Sequence, residues 1–289
     1  MSYIFNTGGE LLSICRREGI PIHEAMLRRE LELGDMDAPA LRAEMARNLS
    51  VMRASVKKGL EEAPRSVSGL SGGDAQKLDA YAKGAFTGPL LAHAAAASMA
   101  VVEVNAAMGR IVAAPTAGAS GILPGTLLAA GHSRGWSDEQ LLDGLFTAAA
   151  IGAIIAASAT LAGAEGGCQA ETGSGAAMAA AAIAELSGAK PPAVLDAAAI
   201  ALKNVLGLVC DPVAGLVECP CIKRNAIGAA NALLSADLVL AGVGSTIPFD
   251  EAVAAMRSVG RSLPADLRET ARGGLAATPT GRKIAESLA

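Results

Sequence analysis

Four of the five cysteines lie in two short segments that are rich in glycine and proline. Cys168 lies in AEGGCQAETGSG, and Cys210, Cys219 and Cys221 lie in LGLVCDPVAGLVECPCIKRN. Glycine and proline interrupt helices and allow the backbone to approach a ligand closely. Cys168 and Cys221 each precede an expected helix, whose N-terminal dipole favours a thiolate. The pattern therefore predicts thiolate metal ligands instead of inert buried thiols.

The fifth cysteine, Cys15, lies alone on an amphipathic helix and is expected to fill the core, as free cysteines commonly do. A zinc site made of four cysteines is the alternative for the others, but Cys219-Pro220-Cys221 lacks the two-residue spacer of a zinc knuckle. Pro220 is expected to hold these two sulfurs apart, so that only one of them binds. Three thiolates then suit an iron–sulfur cluster in which one iron has no cysteine ligand.

A glycine-rich loop and one carboxylate are the candidate substrate and proton-handling groups. The loop at residues 115–121, PTAGASG, precedes a helix, and its N–H groups suit a substrate carboxylate; a simple tight connection is the alternative. Thr116 and Ser120 are the candidate substrate contacts. Glu171, three residues after Cys168, is the candidate catalytic residue, as a base or as a partner of the cysteine site. A solvated carboxylate near a helix start is the competing interpretation.

The remaining charged and imidazole side chains give weaker indications. Lys223 and Arg224 follow the last cysteine, and they either offset negative charge at the site or face solvent. His93 and His132 are expected to be structural or on the surface, and His23 to be exposed. The sequence does not assign the general base, which another chain could supply.

Composition predicts how these groups are positioned. Of 289 residues, 52% are hydrophobic but only 2% are aromatic, and there are 33 glycines. Because alanine dominates the apolar residues and favours helices over strands, we expect an all-α fold with one Ala/Gly-rich domain and buried central helices. The net charge of −4, without a basic block or an aromatic stacking platform, argues against nucleic-acid binding.

The chain is expected to have two parts, separated by the Gly/Ser/Pro-rich loop at residues 63–74. Residues 1–62 form an N-terminal amphipathic helical arm, and residues 63–289 form the helical catalytic domain. Asp37 is the expected N-cap of a helix to residue 62, and Ser137 with Gln140 forms a capping box for a helix that contains residues 144–164. Further helices are expected over residues 22–33, 172–186 and 192–206. Another follows Cys221 and runs to about residue 240, with shorter ones from Phe249 and Ala265.

Residues 144–164, GLFTAAAIGAIIAASATLAGA, form an uncharged run of 21 residues, long enough to span a bilayer. The run is rich in Ala, Gly and Ser, and it lacks flanking basic residues or an aromatic belt, so we expect a buried helix and no membrane association. The N-terminus lacks the pattern of a secretory signal, and five cysteines do not indicate an extracellular disulfide framework. These features predict a cytoplasmic protein.

Four segments of the sequence resemble one known family. They are AAPTAGASGILPG at residues 113–125, EGGCQAETGSGAAMAAA at 165–181, LGLVCDPVAGLVECPCIKRNAIGA at 206–229 and RETARGGLA at 268–276. Together they resemble the alpha chain of the iron–sulfur L-serine dehydratases, also called L-serine ammonia-lyases. The resemblance extends over essentially the whole chain.

The resemblance implies a ligand set, a reaction and a partner. Cys168, Cys210 and Cys221 would be the three ligands of a 4Fe-4S cluster, with Cys219 outside the set. The implied reaction converts L-serine to pyruvate and ammonia, a step of serine catabolism and gluconeogenesis, with the open iron acting as a Lewis acid on the hydroxyl. Members built as one long chain carry a preceding domain and a C-terminal cysteine. This chain instead resembles the two-chain form, a hetero-oligomer with a separate beta chain.

Other functions stay open at this point. The same elimination could remove sulfide from cysteine, and a non-catalytic helical scaffold that binds zinc is a hypothesis from a different class. A pyridoxal phosphate route would need a Schiff-base lysine; Lys203 and Lys223 are present, but no recognisable phosphate-binding loop accompanies them. An integral membrane protein is the third class.

Overall fold

Helices make up the regular structure of this chain, for which a computed structural model describes residues 2–288. Within that range there are thirteen α-helices and no β-strand, which confirms the expected all-α single domain. They are α1 (Gly8–Glu18), α2 (Ile22–Leu33), α3 (Ala38–Glu61), α4 (Asp74–Tyr81), α5 (Pro89–Ala106), α6 (Ile122–Arg134), α7 (Asp138–Ser158), α8 (Gly163–Gly166), α9 (Ser174–Leu186), α10 (Pro191–Lys203), α11 (Cys221–Leu240), α12 (Phe249–Ser262) and α13 (Pro279–Leu288).

The core is centred on α9, whose sequence SGAAMAAAAIAEL is buried over nearly its whole length. Helices α6, α7, α10 and α11 pack around it. Small residues set the close spacing of the bundle: a Cβ on Gly144 of α7 would lie 2.9 Å from Leu186 Cδ1, and a Cβ on Gly59 of α3 would lie 2.7 Å from Ala100 Cα of α5. Since packing is this tight, larger side chains at these positions would push the helices apart.

Helix α7 begins as predicted, with Ser137 and Gln140 in a reciprocal capping box. It ends at Ser158, so the expectation that the helix contains residues 144–164 is wrong at its C-terminal end. Ala159 leaves the helical region of φ and ψ, and the Gly-rich sequence that follows favours turns. By length and composition α5 and α7 are both able to cross a membrane, but 67% of the most apolar window of each is buried in the fold. This burial supports the interpretation as core helices.

The first three helices pack onto the central bundle. Asp37 caps α3 as predicted, accepting a hydrogen bond from the Ala40 N–H at 2.9 Å. Leu11, Ile22 and Leu49, from α1, α2 and α3, belong to the same buried cluster as the residues of α9. The loop after α3 contains the expected boundary at residues 62 and 63; the division into an arm and a catalytic domain stays a prediction.

A carboxylate from α9 caps the N-terminus of α2. Glu185 accepts hydrogen bonds from the backbone N–H groups of Ile22 (2.8 Å) and His23 (3.1 Å), and from the Thr147 hydroxyl (2.7 Å). Its Oε1 also lies 2.7 Å from His23 Nδ1. The expectation that His23 is exposed is wrong, because its side chain is only 25% exposed against Glu185, which is 6% exposed. Pro21 provides no side-chain cap, and the buried carboxylate fills that role.

We expect the free energy of unfolding to be highest at mildly acidic pH. Burial disfavours the charged form of both side chains, but the hydrogen bond between them favours these forms more strongly. The pKa of His23 is therefore raised from 6.5, and the pKa of Glu185 is lowered from 4.5. The contribution of protonated His23 to the free energy of unfolding is complete below pH 6.5 and is lost as the pH rises above that value. The contribution of ionised Glu185 is complete above pH 4.5 and is lost as the pH falls below that value. Urea unfolding from pH 4 to 9 measures both limbs. His23→Gln should flatten the alkaline limb; identical profiles for the two proteins would contradict this account.

Candidate functional site

The candidate site lies where three connecting segments meet at the N-terminal ends of packed helices. Residues 113–121 lead into α6, residues 159–173 lead into α9, and residues 204–220 lead into α11. These three helices pack against one another. Because helix N-termini carry unpaired N–H groups and positive dipole ends, this end of the bundle favours anionic ligands.

The structure brings three cysteines into this region. Cys168 and Cys210 are buried, and Cys221, the first residue of α11, is partly buried. Burial raises the pKa of Cys221 to about 12 and raises the pKa of Cys168 and Cys210 as well. The charge of Cys168 further raises the pKa of the other two thiols. The three cysteine segments adjoin. The N–H of Gln169, next to Cys168, donates to the Leu208 carbonyl at 3.0 Å, and Arg224, three residues after Cys221, donates to the Val209 carbonyl at 2.8 Å.

The other cysteines and two of the histidines lie elsewhere. Cys219 is exposed although it is only two residues from Cys221. Cys15 is buried in the main hydrophobic core, as expected. His93 and His132 are both exposed, and His93 Nδ1 lies 2.6 Å from Asp79 Oδ1. These positions agree with the expected surface role of both histidines.

The Cys210 segment is held by backbone pairing with a distant part of the chain. The Cys210 N–H donates to the Leu267 carbonyl at 2.9 Å, and the Glu269 N–H donates to the Cys210 carbonyl at 2.7 Å. This isolated parallel β-bridge places the segment RETARGGLA next to Cys210. The helix expected from Ala265 is instead a short 3-10 turn, Ala265–Leu267. The pairing with Cys210 competes with continued helix there.

Glu171 lies beside Cys210 in a π-helical turn, Gln169–Gly173. Its Oε1 accepts a hydrogen bond from the Thr116 hydroxyl at 2.6 Å, and its Oε2 lies 3.9 Å from Cys210 Sγ. Burial raises the pKa of Glu171 above its ordinary value, and Glu269 adds to the shift. A Cβ on Gly163 would lie 3.0 Å from Cys210 Sγ, so only glycine allows the backbone to pass this close. Glu171 is thus not a fully solvated carboxylate.

The 115–121 loop is fixed to α11 by a side chain that sequence reasoning missed. Buried Asn225 donates to the Gly118 carbonyl at 2.7 Å and accepts from the Gly121 N–H at 3.0 Å. An asparagine one turn after Cys221, at the start of the Ala/Gly-rich stretch of α11, was the available signal. Ser120 is also buried, and its hydroxyl donates to the Ala117 carbonyl at 2.8 Å. Ser120 as a substrate contact stays a prediction, and its hydroxyl would have to leave that carbonyl to bind a ligand.

The two basic residues after Cys221 have opposite surroundings. Lys223 is exposed, and its Nζ lies 3.2 Å from Asp74 Oδ2. Arg224 points inward and forms an ion pair with buried Asp211, with 2.8 Å between Nη2 and Oδ1. The sequence left open whether these two residues offset negative charge at the site or face solvent. Lys223 faces solvent, and Arg224 faces the site.

Comparison with known proteins identifies the family. The family described as "Serine dehydratase alpha chain" matches residues 17–276, which include all four motif segments. This chain belongs to the serine dehydratase alpha chain family. The "Probable L-serine dehydratase, alpha chain" of Bacillus subtilis (strain 168) is 50% identical over 287 residues, covering 99% of this chain and 95% of that protein. The "L-serine dehydratase, alpha chain" of Peptoniphilus asaccharolyticus is 46% identical over 283 residues, covering 97% of both.

Longer proteins also match this serine dehydratase alpha chain family member. The "L-serine dehydratase" of Streptomyces coelicolor is 38% identical over 283 residues, which cover 96% of this chain but 61% of that protein. The chain therefore corresponds to about three fifths of the longer relative and to nearly the whole length of the two alpha chains.

Proposed function

We propose that this chain is the alpha subunit of an iron–sulfur L-serine dehydratase, a cytoplasmic lyase that converts L-serine to pyruvate and ammonia together with a separate beta chain. Family membership and the names of the Bacillus and Peptoniphilus relatives support the substrate and the reaction. The observation that carries the proposal is the meeting of the chain segments that contain Cys168, Cys210 and Cys221, with Glu171 Oε2 3.9 Å from Cys210 Sγ.

A single metal ion and a cluster place different demands on the spacing of their ligands. Within residues 2–288 no three His, Cys, Asp or Glu side chains converge closely enough to hold a single ion. Zinc–sulfur bonds of about 2.3 Å would bring the sulfurs around zinc to within about 4 Å of one another. A 4Fe-4S cluster binds each thiolate through a different iron and needs a wider set. Cys168, Cys210 and Cys221 would be those thiolates, and zinc bound to a non-catalytic scaffold is the alternative that metal analysis tests.

Serine deamination needs two difficult events, removal of the Cα proton and departure of the hydroxyl group. When bound, the cluster supplies a Lewis-acidic iron without a cysteine ligand, which assists departure of the hydroxyl. The chain must then orient the amino acid and handle the proton. The resulting 2-aminoacrylate tautomerises to an imine, and water hydrolyses the imine to pyruvate and ammonia, which balances the reaction.

Glu171 is the residue of this chain best placed to carry a proton. Its raised pKa brings the carboxyl group closer to neutral pH, where it both accepts and returns a proton efficiently. The Thr116 hydroxyl fixes Oε1, which leaves Oε2 directed towards Cys210. The 115–121 loop lies against the same carboxylate, since a Cβ on Gly118 would be 3.3 Å from Oε1. This loop, pinned by Asn225, is the proposed site of the substrate carboxylate.

The experiment that tests the proposal is pyruvate formation by the anaerobically purified chain, alone and with its beta chain. We expect the two-chain complex to release pyruvate from L-serine, with much lower activity in the alpha chain alone. L-cysteine serves as the second substrate, because the alternative elimination would yield sulfide with pyruvate. An iron-loaded complex that turns over neither amino acid, or L-cysteine only, would contradict the proposed function.

A further inference from the structure

Arg224 joins the two cysteine segments that come from different parts of the fold. It lies on α11, three residues after Cys221, and its side chain is only 13% exposed, whereas that of the neighbouring Lys223 is 75% exposed. The two adjacent residues thus carry the same charge in opposite surroundings. This contrast indicates a specific inward role for the guanidinium.

The Arg224 guanidinium holds the residues on both sides of Cys210. Its Nη1 donates to the Val209 carbonyl at 2.8 Å, and its Nη2 donates to Asp211 Oδ1 at 2.8 Å. One planar side chain on the Cys221 helix therefore fixes the backbone immediately before and the side chain immediately after Cys210. A lysine ammonium, which lacks the rigid fork, does not reproduce this pair of bonds.

Asp211 orients the guanidinium and connects it to a third segment. Its side chain is 4% exposed, and Oδ2 accepts a hydrogen bond from the Leu275 N–H at 2.7 Å. A Cβ on Gly274 would clash with this carboxylate, so glycine is needed for the turn to pass. Through Asp211 the C-terminal part of the chain is tied to the same ion pair.

The Cys168 segment adjoins the backbone that Arg224 holds. The N–H of Gln169, next to Cys168, donates to the carbonyl of Leu208 at 3.0 Å, and the Cys168 Sγ lies 3.1 Å from the Thr172 hydroxyl. Positive charge close to buried thiolates stabilises them, because the thiolates would otherwise repel one another. The ion pair thus contacts, or directly flanks, all three cysteine segments.

We propose that Arg224, oriented by Asp211, is a positioning residue that sets Cys210 relative to Cys221 and offsets the negative charge of the three thiolates. This rests on the proposed function, since the thiolates are taken as cluster ligands. A buried ion pair is a weak source of stability by itself. The proposed role of the Arg224–Asp211 ion pair is to fix the spacing of cysteine ligands that come from separate loops.

The test is the rate at which a ferrous-iron chelator removes iron from the anaerobically loaded two-chain complex. Partners behind metal ligands typically contribute about 10- to 100-fold to metal affinity, so Arg224→Gln should release iron at least about tenfold faster than wild type. Arg224→Lys keeps the charge without the fork and should be intermediate. Lys223→Gln is the matched control and should release iron at the wild-type rate. The visible absorption spectrum of the loaded protein gives a second readout.

Asp211→Asn keeps the shape of the side chain and weakens the same ion pair, so it tests the proposal even if Arg224→Gln does not fold. Circular dichroism shows whether each variant is folded. Wild-type release rates and spectra in Arg224→Lys and Asp211→Asn would overturn the role of the ion pair. A wild-type complex that takes up no iron would overturn the proposed function and this role with it. These two outcomes are distinguishable, because failure of the proposed function is seen in the wild-type complex, whereas failure of the ion-pair role is seen only in the variants.

Discussion

Replacing Cys210 by Ser is expected to reduce both bound iron and pyruvate formation from L-serine to background. A serine hydroxyl stays protonated at neutral pH and is a poor iron ligand, and Cys210 is one of the three proposed thiolate ligands. Its backbone is fixed by the bridge to Leu267 and Glu269, so another side chain does not move in to replace it. Iron per chain and the initial rate with L-serine measure the effect.

The chain offers a matched control for this substitution. Cys219→Ser alters a cysteine only two residues from Cys221, but its thiol is exposed, and it should leave iron content and activity unchanged. Cys15→Ser should also retain both, because Cys15 belongs to the distant core. Retained iron in Cys210→Ser, or loss of iron in Cys219→Ser, would contradict the assignment of the ligands.

Glu171→Gln is expected to lower kcat by about 10²- to 10⁴-fold, the usual contribution of a positioned acid or base, with little change in iron content. Glutamine keeps the shape and still accepts the hydrogen bond from Thr116, but it cannot carry a proton. Steady-state kinetics with L-serine on the iron-loaded complex give kcat and KM separately.

Thr116→Val is the companion variant for Glu171. It leaves the carboxylate in place but removes the 2.6 Å hydrogen bond that orients it. One such bond contributes about 1 kcal/mol, so kcat should fall by about tenfold or less. A wild-type kcat in Glu171→Gln would show that Glu171 is not the proton carrier and would move the base to another residue or to the beta chain.

The sequence predicted most of the fold because alanine content and capping residues act locally. Asp37 and Ser137 cap the helices that were expected from them, and α11 ends at Leu240 as expected, although it begins at Cys221 instead of after it. The errors lie where long-range contacts compete with local preference. Pairing of Cys210 with the segment after Ala265 replaces a helix by a turn, and Glu185 buries His23 on a helix that looked solvated.

The cysteines of the candidate site were visible in the sequence because their spacing and glycine-rich surroundings are unusual. The residues that hold them were not, since each acts across a large sequence separation. Asn225 fixes a loop more than 100 residues earlier in the chain, and Asp211 pairs with both Arg224 and the backbone of Leu275. Contacts of this kind depend on how the helices pack, and no local pattern encodes them.

The most direct test is the iron and acid-labile sulfide content of the wild-type chain purified without oxygen, with and without its beta chain. The account predicts about four iron and four sulfide per alpha chain, with both lost in air together with activity. Zinc in place of iron, or protein that takes up neither iron nor sulfide while its helices stay folded, would contradict it.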